Sequence, residues 1–504
     1  MIPEIKKRVL FNTLGAAVVG FWLVMIGLLI DKTYSGDRTL SSEMAEIPEP
    51  GGIDSAQREW KEIFLKEKKV GYAVSLIKPF KGGYLIQEEI FMRMNLMGLG
   101  SALHTLTQCR ADERFLMQSF TFTMNSGAVR FQMSGKVEGN MLVISTGRGK
   151  ERKTQGIKLI KTPMISSGLA HYFKMRKIAV GDVFRLPVFD PSTMAQKDAV
   201  IKVSAAETLK INRMTHDAFR LEAEIWGKPI TIWVADDGTT LKEEGFMGLT
   251  VVRSSAARAP EDIDREGGAD LYEMTAVTPD RALPDPTRLS YVKFEISGLD
   301  HAGLTSEALN GGRQRFEQGI LEINKEKLHA GTSYQIPYDD VTGEMREFME
   351  SEFNIESGDE EIRQKAHEIA GNDRDPSSVS RKLLGWVHGN LVKKPVLSLP
   401  SALEVLRTRV GDCNEHATLL TAFLRAMGIP ARLCIGLVYT HERFYYHAWN
   451  EAYLGEWVSM DATLNQMPAD PTHIKLIEGN LDRQVQIAGL VGETRLKILG
   501  YRYD

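Results

Sequence analysis

Cysteine is nearly absent from this chain. Three occur in 504 residues, Cys109, Cys413 and Cys434, too few and too scattered for a disulfide framework or a zinc ribbon. One pair could still form a single bridge. No C-x-x-C, phosphate-cradling glycine loop or clustered acidic calcium loop occurs, so no metal or cofactor is expected. Charge of one sign is missing too: 62 Lys and Arg stand against 66 Asp and Glu, a formal net charge of -4. That balance gives no reason to expect nucleic acid as a partner. What remains is an ordinary globular composition, 43% apolar and 25% charged. The length suits roughly two to four domains.

One uncharged run stands out. Residues 9–30, VLFNTLGAAVVGFWLVMIGLLI, follow Lys6, Lys7 and Arg8 and end at Asp31. About 20 apolar residues cross a bilayer as a helix. A cleaved signal peptide would have a shorter apolar core followed by a small-x-small site, and neither condition is met. The expectation is an uncleaved anchor within residues 1–31, its N-terminus cytoplasmic because of the basic flank. The bulk of the chain would then lie on the periplasmic or extracytoplasmic side of the inner membrane. Residues 32–55, polar with Pro48, Pro50, Gly51 and Gly52, read as a tether.

From 56 to 255 a period of two dominates. SFTFTM, a turn at Asn125-Ser126-Gly127, AVRFQMSG and MLVISTG read as consecutive antiparallel strands. A hairpin turn is expected at Asp236-Asp237-Gly238. The reading is one large antiparallel β-rich domain. It could pack its own core and serve as a spacer, or hold a lipid or peptide; an apolar cavity would favour the lipid. Residues 256–290, rich in Pro, Gly and acid, read as a linker, and 291–504 as an α+β domain. Helical patterns fall near 358–371 and 375–391.

Next comes RVGDCNEHATLLTAFLRAMGIPARL, residues 409–433, which raises the question of why a rare cysteine sits among Asp412, Asn414 and Glu415. With Asp412 as N-cap, Cys413 falls at the first helical position and Glu415 at the third, a capping box. Ala417, Leu420, Phe423, Leu424 and Met427 line a buried face, and Gly428-Ile429-Pro430 ends the helix. A thiol at a helix N-terminus is favoured as thiolate, and the free N–H groups there could bind an oxyanion. It would be a nucleophile's position. A hairpin then brings FYYHAWNEAYL and WVSMDAT together about Gly455, placing His447 and Asp461 within one or two positions of register. Asp461 could accept from one nitrogen of His447 while the other faces Cys413. His416, three residues after Cys413, is the rival base. Trp449 and Glu451 alternate onto the His447 face, where they would contact substrate or support the fold.

SALEVLRTRVGDCNEHATLLTAFLRAMGIPARLCIGLVY with YYHAWNEAYLGEWVSMDAT resembles the core of the bacterial transglutaminase-like family, across about 358–466. The G-x-C helix, G-I-P-A-R turn, H-x-W-x-E strand and D-x-T strand fall in the family's order. The resemblance implies a papain-like α+β arrangement with Cys413 as nucleophile, His447 as general base and acid, and Asp461 orienting it. Relatives cross-link, cleave or deglycosylate proteins and peptides. The deglycosylating ones carry a C-x-x-C module that this chain lacks. The expected reaction is thiol-dependent acyl transfer or hydrolysis at amide groups of envelope proteins or peptides. The competing expectation is a membrane-tethered peptide-binding or assembly protein without turnover.

Overall fold

The computed structural model describes residue 53 and residues 55–503, apart from 97, 127–128, 147–152, 193, 226–227, 266–267, 300–303, 305–308, 329–333, 340–342, 396–400, 480–486 and 488–489. The apolar run at 9–30 and most of the tether lie outside the described residues. Among the described residues no helix is long and apolar enough to cross a membrane. The chain divides into two units, one reaching to Asp270 and one running from Leu271 to Asp504.

The first unit is built on a single sheet of fifteen strands. Eight follow one another from Gln57–Leu65 to Lys153–Lys158, and the chain returns to close the series with Leu249–Ser254 paired antiparallel to Gln57–Leu65. Every neighbouring pair is antiparallel except Met164–Ile165 beside Val183–Asp190. Asn125 and Ser126, expected in a turn, extend the strand instead and pair with Arg130 and Val129, whereas Asp236-Asp237-Gly238 joins adjacent strands as expected. Alternation in the sequence is met by alternation in burial, as along Gly83–Leu96. The sheet is strongly curled. Phe120 and Phe189 sit ten strands apart in the sheet order, yet their ring centroids are 5.3 Å apart. At about 4.8 Å per strand a flat sheet would hold them more than ~40 Å apart.

Inside the curl lies the segment Ser166–Met175, three short helical turns whose Ser166, Ser167, His171, Tyr172 and Phe173 are buried. Charge is buried with them. Lys174 pairs with Glu59 at 2.6 Å and Lys61 with Glu243 at 2.5 Å. Burial pushes the Glu88 carboxyl up to about 7 and holds His171 down at about 4. The ion pairs show that this interior is not uniformly apolar, and a cavity of about 460 Å³ in the same unit has a mixed lining, with Leu85, Phe120 and Val143 beside Arg110, Lys136 and Glu138.

In the second unit, Leu289–Ser297 lies between Ile320–Asn324 and Arg495–Tyr503 in a four-stranded sheet edged by Gln314–Glu317. Beyond a single turn at Gly343–Arg346, four longer helices follow among the described residues: α1 (Glu360–Ala370), α2 (Pro376–Asn390), α3 (Ala402–Thr408) and α4 (Cys413–Ala426). Asp375 caps α2 by accepting from the Ser378 N–H, with Pro376 in the first turn as the sequence suggests. A second four-stranded sheet has the order β3-β2-β1-β4, from β1 (Ala431–Thr440), β2 (Arg443–Tyr453), β3 (Trp457–Met460) and β4 (Ile474–Glu478). Helix α4 is buried from Cys413 to Arg425 and is tied to β2 by Asn450. The Asn450 amide donates to the Ala417 carbonyl at 2.9 Å and to Thr421 Oγ1 at 2.7 Å. This tie fixes the middle of α4 against β2. Cys109, Cys413 and Cys434 are all free and buried, so the single bridge left open by the sequence does not form.

Candidate active site

The N-terminus of α4 is organised as its residues require. Asp412 accepts from the Asn414 N–H at 3.0 Å, and Glu415 Oε2 accepts from the Asp412 N–H at 2.9 Å, completing the capping box. Glu415 can fold back only because Gly411 has no side chain. A Cβ there would stand 2.2 Å from Glu415 Cβ. Cys413 is thereby set at the first helical position, fully buried. Its thiol meets the backbone N–H of Ala448, the residue after His447 on β2.

The β2–β3 hairpin has the register that the turn at Gly455 sets, with Glu451 opposite Ser459 and Asn450 opposite Met460. Asp461 lies just past β3, where a bridge to Gln466 turns the chain. From there its carboxylate Oδ2 accepts from His447 Nε2 at 2.7 Å, and both side chains are fully buried. Oδ1 accepts from the N–H groups of Thr463 at 2.7 Å and Leu464 at 3.1 Å. A second imidazole reaches the same carboxylate: His473 Nε2 lies 3.0 Å from Oδ2. Burial opposes the charge on Asp461, but the two histidines and these hydrogen bonds prevail and hold its carboxyl well below the usual range.

Residues 363–462, which include the α4 terminus and His447, match the model of the transglutaminase-like superfamily. The second unit carries a transglutaminase-like domain. Among solved structures, a Cytophaga hutchinsonii protein described as a "putative cysteine protease" is 18% identical, with 43% of this chain and 85% of that one covered and a TM-score of 0.28. A beta-barrel-like protein of a domain of unknown function from Brucella abortus is 11% identical, with 40% and 95% covered and a TM-score of 0.31. A "putative protease" from Parabacteroides distasonis is 10% identical, with 73% and 65% covered and a TM-score of 0.19. No curated protein matches the chain.

The electrostatics of the transglutaminase-like domain correct one expectation. The sequence led to a resting thiolate at Cys413. Burial instead pushes the thiol well above its ordinary range; Asp412 adds to this, and the Ala448 N–H opposes it. The desolvation of a fully enclosed sulfur outweighs one helix terminus. The terminus is also largely spent. Its Asn414 and Glu415 N–H groups go to the Asp412 side chain, and that of His416 goes to the Asp412 carbonyl at 3.0 Å.

His416 is placed differently from His447. Its Nδ1 donates to the Asp412 carbonyl at 2.6 Å, and burial holds it down at about 4. Trp449 is buried, stacked 6.2 Å from His447 and edge-on to His473 at 5.3 Å. Glu451 is buried in an ion network instead of facing open space. It accepts from Arg432, its direct neighbour across β1, at 2.7 and 2.8 Å, and from Lys475 at 3.0 Å. The sequence reading missed His473. Its position, twelve residues past Asp461 in the run ADPTHIKL, carries no periodic signal, and its partners meet only once the loop closes.

The His447, Asp461 and His473 donor atoms lie within 4.8 Å of one another, a spacing that could also suit a metal ion. Each imidazole, however, stands at hydrogen-bond distance from one carboxylate oxygen, and protons satisfy that arrangement.

Proposed function

We propose that the transglutaminase-like domain is a thiol-dependent enzyme acting on amide groups of proteins or peptides, with Cys413 as nucleophile, His447 as base and Asp461 as its orienting carboxylate. The observation carrying this reading is the buried His447–Asp461 hydrogen bond beside a helix-borne cysteine. An ionised carboxylate only accepts, so the His447 proton sits on Nε2 and Nδ1 is left as the basic nitrogen. With the thiol protonated at rest, His447 Nδ1 takes the Cys413 proton as the sulfur adds to the amide carbonyl. Collapse expels the amine, which carries away that proton and leaves a thioester. An amine or water, deprotonated by the same nitrogen, then takes the acyl group and restores the thiol. Cross-linking and hydrolysis differ only in that acceptor.

On this proposal the anchor at 9–30 confines the enzyme to proteins and peptides of the cell envelope within reach of the membrane. A reporter fused after Asp504 that is active only in the cytoplasm would overturn that placement. The full burial of Cys413 favours a second reading, a peptide-binding unit without turnover. Labelling with iodoacetamide separates the two, because Cys109 and Cys434 are equally buried internal controls. Burial also pushes both control thiols up, Cys109 to about 12. An enzyme labels at Cys413 well ahead of the other two, and His447→Ala abolishes the difference. Equal, slow labelling of all three would put the binding reading first.

A further inference from the structure

His473 is unused by the proposed chemistry, yet its ring is held on both sides beside it. Both ring nitrogens face acceptors. Nε2 lies 3.0 Å from Asp461 Oδ2; Nδ1 lies 3.2 Å from the Asp470 carbonyl and 3.4 Å from its Oδ1. A neutral imidazole has one N–H, so two acceptor-facing nitrogens call for the doubly protonated ring. Asp470 is itself braced. Oδ1 accepts from the Thr472 N–H at 2.9 Å and its hydroxyl at 2.5 Å, and Oδ2 accepts from Gln466 Nε2 at 2.9 Å. Gln466 closes the loop by exchanging backbone hydrogen bonds with Asp461 at 2.9 and 3.0 Å. Arg313 clamps the loop from outside through the carbonyls of Asp470 and His473. The approach of β4 that delivers His473 depends on Gly436, opposite His447 on β1, since a Cβ there would stand 1.8 Å from the Ile474 carbonyl oxygen.

We propose that His473 is a positioning residue for the reaction, acting through Asp461 on His447. The inference rests on the proposed role of His447 as base. As a fixed cation on Asp461 Oδ2, His473 keeps the carboxylate ionised and aimed. The shared carboxylate then holds the His447 proton on Nε2 and leaves Nδ1 to work. His473 is held up at about 9, with burial opposing and Asp470 and Asp461 prevailing, in keeping with that charge. The groups facing it are Asp461 and Asp470 on the loop, His447 on β2 with ring centroids 5.8 Å apart, and Trp449 edge-on.

Replacing His473 by Gln takes a positive neighbour away from the proposed Cys413–His447 pair. The acid limb of the Cys413 reaction should therefore move to higher pH in His473→Gln, by about one pH unit, the scale on which neighbouring charges act. A merely structural role would lower the rate at all pH values and leave the limb in place. The experiment is the pH profile of Cys413 alkylation in the full chain for wild type, His447→Ala and His473→Gln. Loss of the wild-type advantage in His447→Ala, with a shifted limb in His473→Gln, is the expected result. A wild-type limb in folded His473→Gln overturns the inference but leaves the base in place. Wild-type rates in His447→Ala overturn the base reading itself. Because His473→Gln could fail to fold, the wild-type chain is also measured by NMR of 15N-histidine. At neutral pH His473 should carry protons on both nitrogens. A singly protonated His473 would overturn the inference without any variant.

Discussion

Replacing Asp461 by Asn changes one atom and tests the orientation of the whole site. In the native structure Oδ1 is fixed by the N–H groups of Thr463 and Leu464, so the amide oxygen of the variant keeps that place. The new NH2 group then takes the position of Oδ2, facing the imidazoles of His447 and His473 at 2.7 and 3.0 Å. Donor meets donor. His447 can remain hydrogen-bonded only by giving up its Nε2 proton and carrying one on Nδ1, and a nitrogen already protonated cannot accept from Cys413. By the same logic that governs the wrong histidine tautomer in hydrolase triads, kcat should fall by roughly 10³ to 10⁴ with KM little changed. Stability should fall as well, because the variant leaves His473 with Asp470 and takes away the other of its two buried carboxylates. Removing one partner of a buried pair costs about 3–5 kcal/mol. For a unit of this size that is a Tm lower by about 10 °C. Calorimetry on the full chain reads the second effect, and turnover of an amide substrate by the folded fraction reads the first. A folded Asp461→Asn protein with kcat within tenfold of wild type would refute the assignment of Asp461 as the group that orients His447.

Three further outcomes follow from the same geometry. His473, held up at about 9 against an ordinary 6.5, stabilises the fold fully below pH ~6.5, and that contribution is lost as pH rises through about 9. Urea midpoints should therefore fall between pH 6.5 and 9.5, by roughly 3 kcal/mol in unfolding free energy, and a flat profile over that window would contradict the charge assigned to His473. Gly436→Ala should drive a Cβ into the Ile474 carbonyl and destabilise the domain by about 3 kcal/mol, the upper end for overpacking, measurable by thermal melting. Glu451→Gln leaves Arg432 and Lys475 without their buried carboxylate, so Tm should fall while KM of the folded protein stays unchanged. A raised KM at unchanged Tm would return Glu451 to substrate binding.

Much of the domain carrying these groups was legible in the chain itself, because its decisive signals are local. Asp412 and Glu415 lie three residues apart and close their capping box within one turn, so the position of Cys413 needed no distant partner. Asp375-Pro376 opened α2 for the same reason. The turn at Leu454 to Glu456 fixes the register of β2 and β3, and that alone brings His447 and Asp461 together. Alternation in the first unit announced antiparallel strands, since side chains on a strand point to opposite faces whatever lies beyond them.

What only the tertiary structure decided is the company each face keeps. Alternation put Glu451 on the His447 face but could not say that Arg432 and Lys475 cover it. The helix terminus argued for a thiolate, and enclosure of the sulfur on all sides reversed the balance, because desolvation depends on everything packed around a group and not on its neighbours in sequence. His473 joined the site through a loop whose hydrogen bonds form only after β4 docks at Gly436. The curl that brings Phe120 to Phe189 is likewise a sum over ten strand pairings. Short-range hydrogen bonds are written in adjacent residues, whereas burial and the charges it enforces are properties of the folded whole.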